Sequence, residues 1–209
     1  MTSTDAELKV YSDYVCPFCY LGRRSLERYE AERGEEMTID WHPFDLRSHQ
    51  RGSDGEIDPD VPDGKDEEYY EQARENVRRL QERYDVDMTL DIAEDIDSLQ
   101  AQQVSYHIKQ DAPEQWRDFD EAVFEALWLE GRDIGDRAVL RDLVADVELD
   151  PALVDAALDD EALRQQLHDR FEEAQRHGVT GVPTFAYDGY AARGAVPPEQ
   201  LRRLIEGTD

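Results

Sequence analysis

The chain has 209 residues, and its 51 acidic and 23 basic side chains give a formal net charge of −28 at pH 7. This length fits one domain, or one domain that carries a large insertion. Nucleic acid is not expected as a partner, because so acidic a surface would repel a phosphate backbone. A disordered acidic chain is also excluded, since apolar residues recur with clear periodicity.

Acidic side chains are spread along the whole chain, and only three of the basic residues are lysines (Lys9, Lys65 and Lys109). An acidic surface that meets a basic partner is one explanation of this composition. We favour adaptation to very high salt, where the Debye length shrinks to a few Å and like charges are screened from one another.

The sequence has no recognisable targeting or membrane segment. Residues 1–7 are polar and lack the apolar core of a signal peptide. No uninterrupted apolar run is longer than the one at 126–129, so no membrane partner is expected. We therefore expect a cytoplasmic protein, either a monomer or a homodimer, and in that compartment an isolated Cys-x-x-Cys pair is more often catalytic than structural.

The only two cysteines follow the first predicted strand, at residues 9–12, and open the first predicted helix. Unpaired N–H groups and the helix dipole place partial positive charge at a helix N-terminus, which stabilises a thiolate on Cys16. Pro17 suits the first helical position, because its missing N–H would have no partner there. Cys19 lies one turn further, so the pair can alternate between dithiol and disulfide, with Cys16 attacking and Cys19 resolving.

Two other interpretations of this pair are weaker. A structural disulfide across so short a loop constrains the unfolded chain little, because the entropic gain grows with loop length. A zinc site normally needs four ligands, yet there is no second cysteine pair and the five histidines have no metal-binding spacing. We therefore expect no metal and no tightly bound cofactor.

The sequence leaves the roles of Asp13 and Phe18, two neighbours of the cysteines, undetermined. Asp13 lies three residues before Cys16, and a nearby carboxylate would offset part of the stabilisation of the thiolate. In so acidic a chain, a solvated side chain with no role is the simpler expectation for Asp13. Phe18 carries no proton to donate, so it either contacts substrate or only covers the cysteine pair.

The next elements complete a β-α-β unit, which is followed by a loop and a helical segment. Residues 37–42 alternate between apolar and polar and predict a second strand, parallel to the first. Residues 47–65 are rich in Asp, Gly and Pro, including Pro59, and predict a long surface loop. From about 66 to 177, apolar residues at intervals of three and four predict helices. One of these is expected to begin at Pro113, and another at Pro151 with Asp150 as its N-cap.

Strand character returns near the end of the chain. Residues 184–187 and 190–193 predict a hairpin around Asp188-Gly189, and a final helix follows Pro197. Because the strands lie at both ends, we predict an α/β fold with a discontinuous domain, 1–65 with 178–209. Residues 66–177 then form a large all-helical insertion.

Val182 and Pro183 stand immediately before the third strand. Proline cannot donate to a sheet ladder, and an X-Pro bond is the type in which the cis form is least costly. A cis bond would turn the Val182 backbone outward, where its N–H and C=O could pair with an extended thiol substrate near Cys16. Taken alone, this stretch would favour an ordinary trans-proline turn.

Several segments together resemble the thioredoxin-like fold of the DsbA family, and within it the cytoplasmic FrnE-like branch. They lie at 12–22, 44–46, 130–134, 178–185 and 194–195. The resemblance implies a thioredoxin-like fold, thiol–disulfide exchange by Cys16 and Cys19, and a cis bond before Pro183. It also implies that Pro17, Phe18, Val182 and Pro183 contact a protein or a small molecule that carries a thiol or a disulfide.

The chain departs from this family pattern in two places. Relatives often have Asn-Thr and later Ala-His where this sequence has Asp97-Ser98 and Ala101-Gln102, and Val196 replaces a common glutamine. Family substrate contacts are therefore not carried over to those positions.

A sister branch with the same architecture contains glutathione-dependent 2-hydroxychromene-2-carboxylate isomerases and kappa-class transferases. Its members typically have serine at the position of Cys16, so two cysteines favour disulfide chemistry, with glutathione as a conceivable co-substrate. A non-catalytic chaperone or binding module on the same fold would not need an activated Cys16. The sequence leaves open the direction of exchange, which depends on the relative stability of the two redox states.

Overall fold

The computed structural model describes residues 7–52, 55–58, 60–90 and 96–207. Residues 1–6, on which the expectation about a targeting segment partly rested, lie outside these ranges. Within them four strands form one mixed sheet: β1 (Leu8–Ser12), β2 (Ile39–Pro43), β3 (Thr184–Tyr187) and β4 (Tyr190–Arg193).

The strand order is β2-β1-β3-β4, so β1 lies inside the sheet. It pairs in parallel with β2, as the β-α-β unit predicted, and antiparallel with β3. The β3–β4 hairpin turns at Asp188 and Gly189, which both have positive φ, as a tight hairpin turn requires. The second strand begins two residues later than predicted and extends through Pro43.

Eight helices are present in the described ranges. They are α1 (Pro17–Arg33), α2 (Glu67–Tyr84), α3 (Leu99–Asp111), α4 (Trp116–Trp128), α5 (Arg137–Asp146), α6 (Ala152–Asp159), α7 (Glu161–Arg176) and α8 (Pro198–Glu206). Six of them, α2 to α7, lie between β2 and β3, where the sequence predicted a helical segment. The fold is therefore α/β and thioredoxin-like with a helical insertion, whereas the division into 1–65 with 178–209 and 66–177 stays a prediction.

The helices cover both faces of the sheet. Helix α8 packs on α1, β3 and β4, while α7 packs against β2. Neighbouring residues of β1 accordingly point into different clusters, because side chains alternate along a strand. Val10 packs against the main core, and Tyr11 packs with Ala174 of α7. None of the helices in the described ranges is both long enough and apolar enough to cross a bilayer.

Several expected helix boundaries are wrong by a few residues. Pro113 belongs to a turn, and α4 begins only at Trp116. Pro151 is the N-cap of α6 instead of its first residue, although the Asp150 carboxylate does accept a hydrogen bond from the N–H of Ala152 at 3.0 Å. Local capping signals locate a helix end well, but packing decides which residue is the first in the helix.

In its described part, the segment predicted as a surface loop at 47–65 contains short regular elements and a buried side chain. It contains a 3-10 turn at Ser48–Gln50 and an isolated β-bridge between Arg51 and Ile57. The Arg51 side chain is only 7% exposed, so the expectation of a purely surface loop is wrong there. Pro59, which contributed to that expectation, lies outside the described residues.

Candidate active site

The two cysteines lie at the N-terminal end of α1, as predicted. Cys16 is the N-cap residue and has an extended backbone, and Pro17 occupies the first turn. The Cys19 and Tyr20 N–H groups both donate to the Cys16 carbonyl, at 3.0 and 3.3 Å, which fixes the turn between the cysteines. Both thiols are free and buried, with Cys16 4% and Cys19 2% exposed. The structure thus represents the reduced pair.

The loop before β3 closes over this pair. The Val182–Pro183 peptide bond is cis, as expected. The Cys16 thiol donates to the Val182 carbonyl oxygen with an Sγ–O distance of 3.6 Å, so the backbone of Val182 lies directly beside the sulfur. Pro183 is buried, and Val182 and Pro17 are partly exposed around Cys16.

Close packing between α1 and this loop depends on Gly22. A Cβ atom at Gly22 would lie 3.0 Å from Pro183 Cγ and 3.2 Å from Phe185 Cζ. Such distances are tighter than nine in ten real Cβ contacts, so a side chain at this position would require Pro183 or Phe185 to shift by a few tenths of an ångström. Gly22 therefore helps to set the distance between the cysteine helix and the Val182 carbonyl.

Phe18 lies between the cysteines in sequence and is partly exposed. It packs in a cluster with Leu21, Val77, Met88 and Leu90, among other apolar residues of α1, α2 and the segment after α2. The helical insertion therefore supplies an apolar wall on the Phe18 side of the cysteine pair. This packing is compatible with both expected roles of Phe18, substrate contact and cover.

The turn that leads from β1 to Cys16 is held by α4. The Trp128 indole N–H donates to the Tyr14 carbonyl at 2.8 Å, and the Tyr14 hydroxyl donates to Asp120 at 3.0 Å. The Cys16 N–H closes the turn on the Asp13 carbonyl at 3.1 Å. The insertion thus fixes the backbone immediately before the cysteines.

Asp13 is buried, contrary to the expectation of a solvated side chain. Only 1% of the residue is exposed. Its Oδ1 accepts hydrogen bonds from Ser98 Oγ at 2.5 Å and from Gln102 Nε2 at 3.1 Å, and its Oδ2 accepts from the Leu46 N–H at 2.9 Å. The Val15 N–H adds a longer bond of 3.3 Å. Local sequence could not reveal this burial, because most of these partners come from segments far along the chain.

Burial raises the pKa of Asp13 from 3.8 to about 6, although the hydrogen bonds from Ser98 and Leu46 act in the opposite direction. At neutral pH the carboxyl is therefore mostly ionised but is a much better proton acceptor than an exposed aspartate. The nearby charge of Asp45 raises the pKa further.

Cys19 interacts with both Cys16 and Asp13. Burial, followed by its hydrogen bond to Cys16, raises the pKa of the Cys19 thiol well above its usual value. The Asp13 backbone hydrogen bonds to Cys19, and the Asp13 carboxylate also acts on it electrostatically. Cys19 therefore remains protonated near neutral pH and needs a proton acceptor before it can attack a disulfide.

Ser98 and Gln102 are site residues that the sequence did not identify. They occupy the stretch in which this chain departs from its relatives, and both contact the Asp13 carboxylate. Cys19 and Pro183 also line an internal cavity of about 20 Å³ together with Asp120, which has room for about one water molecule. Among the described residues, no group of three or more His, Cys, Asp or Glu side chains is arranged to hold a metal ion.

Comparison with known proteins gives one family. The family model for the DSBA-like thioredoxin domain matches residues 7–206. A Bacillus subtilis (strain 168) protein described as uncharacterized protein YwbO is 29% identical over 202 residues, which cover 95% of this chain and 94% of that protein.

Solved structures share the fold at low sequence identity. A probable DsbA oxidoreductase from Streptomyces coelicolor has a TM-score of 0.74 at 22% identity, covering 95% of this chain and 87% of that one. A 2-hydroxychromene-2-carboxylate isomerase has a TM-score of 0.74 at 19% identity, with coverages of 94% and 91%. The cytosolic disulfide reductase DsbM from Pseudomonas aeruginosa, solved with glutathione, has a TM-score of 0.62 at 19% identity, with coverages of 96% and 93%.

Proposed function

We propose that this chain, which belongs to the DSBA-like thioredoxin domain family, is a thiol–disulfide oxidoreductase that cycles Cys16 and Cys19 between dithiol and disulfide. One observation carries the proposal. A reduced cysteine pair opens α1, and the Cys16 sulfur lies 3.6 Å from the carbonyl oxygen of Val182. The nucleophile and a backbone edge that can align a substrate are therefore in contact.

The first chemical step belongs to Cys16. The thiolate form of Cys16 attacks one sulfur of a substrate disulfide. The substrate S–S bond breaks, a mixed disulfide with Cys16 forms, and the other substrate sulfur leaves as a thiolate. We expect the Val182 N–H and C=O to pair with the substrate backbone, and Pro17, Phe18 and Pro183 to contact the substrate beside them.

The second step belongs to Cys19 and Asp13. The Cys19 thiol passes its proton to the Asp13 carboxylate, and the resulting thiolate attacks the Cys16 sulfur. A Cys16–Cys19 disulfide forms and the second substrate sulfur leaves as a thiolate. The protein is then oxidised and the substrate reduced, and the reverse sequence would oxidise a substrate dithiol.

Turnover of a fluorescent glutathione disulfide tests the assignment of the two cysteines. Cys16→Ser should abolish turnover, because the attacking sulfur is gone. Cys19→Ser should retain the attack and accumulate a mixed disulfide, visible by mass spectrometry as one added glutathione. Full turnover by the Cys16→Ser variant would rule out its role as nucleophile.

A glutathione-dependent isomerase or transferase is the second candidate, favoured by the similarity in fold to the 2-hydroxychromene-2-carboxylate isomerase. Such an activity uses no dithiol cycle. It would therefore survive Cys19→Ser unchanged, whereas the oxidoreductase cycle would stop at the mixed disulfide.

We further propose that the protein acts in a cytoplasm of high salt content. The net charge of −28 and the scarcity of lysine support adaptation to salt. The structural likeness to a cytosolic disulfide reductase supports a cytoplasmic location. The structure of that reductase contains glutathione, which supports a small thiol as co-substrate.

A further inference from the structure

Arg51 joins two carboxylates next to the site. Its Nε and Nη2 donate to Asp45 at 2.6 and 3.2 Å, and its Nη1 and Nη2 donate to Asp97 at 2.7 and 2.8 Å. A further bond from Nη1 reaches the Gly55 carbonyl at 3.0 Å. The planar guanidinium thus forms a two-pronged contact with each carboxylate, a geometry that lysine cannot reproduce.

The residues that follow these two aspartates are the main donors to Asp13. Leu46 follows Asp45, and its N–H donates to Asp13 Oδ2 at 2.9 Å. Ser98 follows Asp97, and its hydroxyl donates to Asp13 Oδ1 at 2.5 Å. One buried arginine side chain therefore holds both of the segments that donate to the Asp13 carboxylate.

We propose that Arg51 is a positioning residue for thiol–disulfide exchange, which fixes the two donors on Asp13 and so sets the pH range in which Cys19 resolves a mixed disulfide. This inference rests on the proposed function. Arg51 has no contact with the reacting sulfurs and acts only through Asp45, Asp97 and Asp13.

Three parts of the fold present charged or titratable groups to Asp13. They are the segment after β2 with Asp45, the start of α3 with Asp97 and its partner Arg51, and α1 with Cys16 and Cys19. Gln102 adds a neutral donor, and its Oε1 is buried without a partner. Arg51 is the cation that bonds to both Asp45 and Asp97, and the Arg47 cation also acts electrostatically on Asp97.

Loss of the Arg51 cation should weaken the function of Asp13 in two ways. Asp45 and Asp97 would lose the cation that bonds to both of them, and the Leu46 and Ser98 donors would no longer be held in place. Both changes disfavour the ionised carboxylate and raise the pKa of Asp13. A smaller fraction of Asp13 would then accept the Cys19 proton at neutral and mildly acidic pH.

The test separates the two chemical steps with 5,5′-dithiobis(2-nitrobenzoate). Attack by Cys16 releases one nitrothiophenolate, and resolution by Cys19 releases the second, so stopped-flow absorbance records two phases. We expect Arg51→Gln to move the pH midpoint of the second phase upward by about one unit, which lowers its rate about fivefold at pH 6. The first phase should change little, because attack by Cys16 does not require the transfer of the Cys19 proton to Asp13.

Arg117→Gln is the matched control, because Arg117 forms another two-pronged pair with a buried carboxylate, Glu30, at 2.9 and 3.2 Å. It should lower stability without moving the pH midpoint. The inference is overturned if the second-phase profile of Arg51→Gln coincides with that of the wild type, or if Arg117→Gln shifts the midpoint equally.

Arg51→Lys covers the case in which Arg51→Gln does not fold. Lysine keeps the positive charge but loses the two-pronged contact of the guanidinium, so we expect a smaller upward shift of the pH midpoint of the second phase. A second-phase pH profile identical to that of the wild type would overturn the inference. Failure of the proposed function is distinguishable, because the wild-type protein itself would then show no second phase.

Discussion

Replacing Asp13 with asparagine removes a carboxyl that is buried in the turn before Cys16. The pKa of this carboxyl is about 6 in the folded protein and 3.8 in the unfolded chain. The folded protein therefore binds the proton more tightly, which contributes stability that is fully present below pH 3.8 and is lost as the pH rises through about 6. This contribution to the free energy of unfolding is about 3 kcal/mol when it is fully present. About 1.4 kcal/mol of it is gained as the pH falls from about 8 to 5.

Urea unfolding of the reduced protein at several pH values measures this term as a difference between variants. The wild-type free energy of unfolding should rise by about 1.4 kcal/mol more than that of Asp13→Asn as the pH falls from about 8 to 5. All samples should share one high salt concentration, so that the many other carboxylates are equally screened. A constant difference between the wild-type and Asp13→Asn curves would reflect the replacement of the carboxylate by an amide. Such a difference does not depend on pH.

Asp146→Asn provides the control, because Asp146 lies exposed near the end of α5. Its curve should run parallel to that of the wild type between pH 8 and 5. If the Asp13→Asn curve is also parallel, Asp13 does not titrate in this range, and its assignment as the proton acceptor for Cys19 is wrong.

Two further predictions concern packing and charge. Gly22→Ala should lower the free energy of unfolding by about 1–3 kcal/mol in urea denaturation, because the new methyl group meets Pro183 and Phe185. Gly181→Ala, where a Cβ meets nothing within 4 Å, should cost much less, and equal losses would contradict the packing argument. The melting temperature should rise by more than about 5 °C between 0.1 and 2 M sodium chloride, because salt screens the charge of −28. A flat dependence in scanning calorimetry would instead favour an acidic surface that binds a basic partner.

Local sequence was sufficient for the parts of the molecule that depend on near neighbours. The turn at Asp188 and Gly189, the proline that opens α1 and the parallel pairing of β1 with β2 all follow from short-range rules. The cysteine pair was identifiable for the same reason, since three residues and one helix turn define it. The family resemblance added the expectation of a cis bond before Pro183, which the structure contains.

Only the tertiary structure decided the environment of Asp13. The sequence suggested a solvated carboxylate, because acidic residues are abundant and nothing adjacent to Asp13 indicates burial. Its donors Leu46, Ser98 and Gln102 lie 33, 85 and 89 residues away, and Arg51 was assigned to a surface loop. The ionisation of a buried group depends on the charges and hydrogen bonds that surround it in space. Those partners meet only when the insertion packs against the sheet, so no local pattern specifies them.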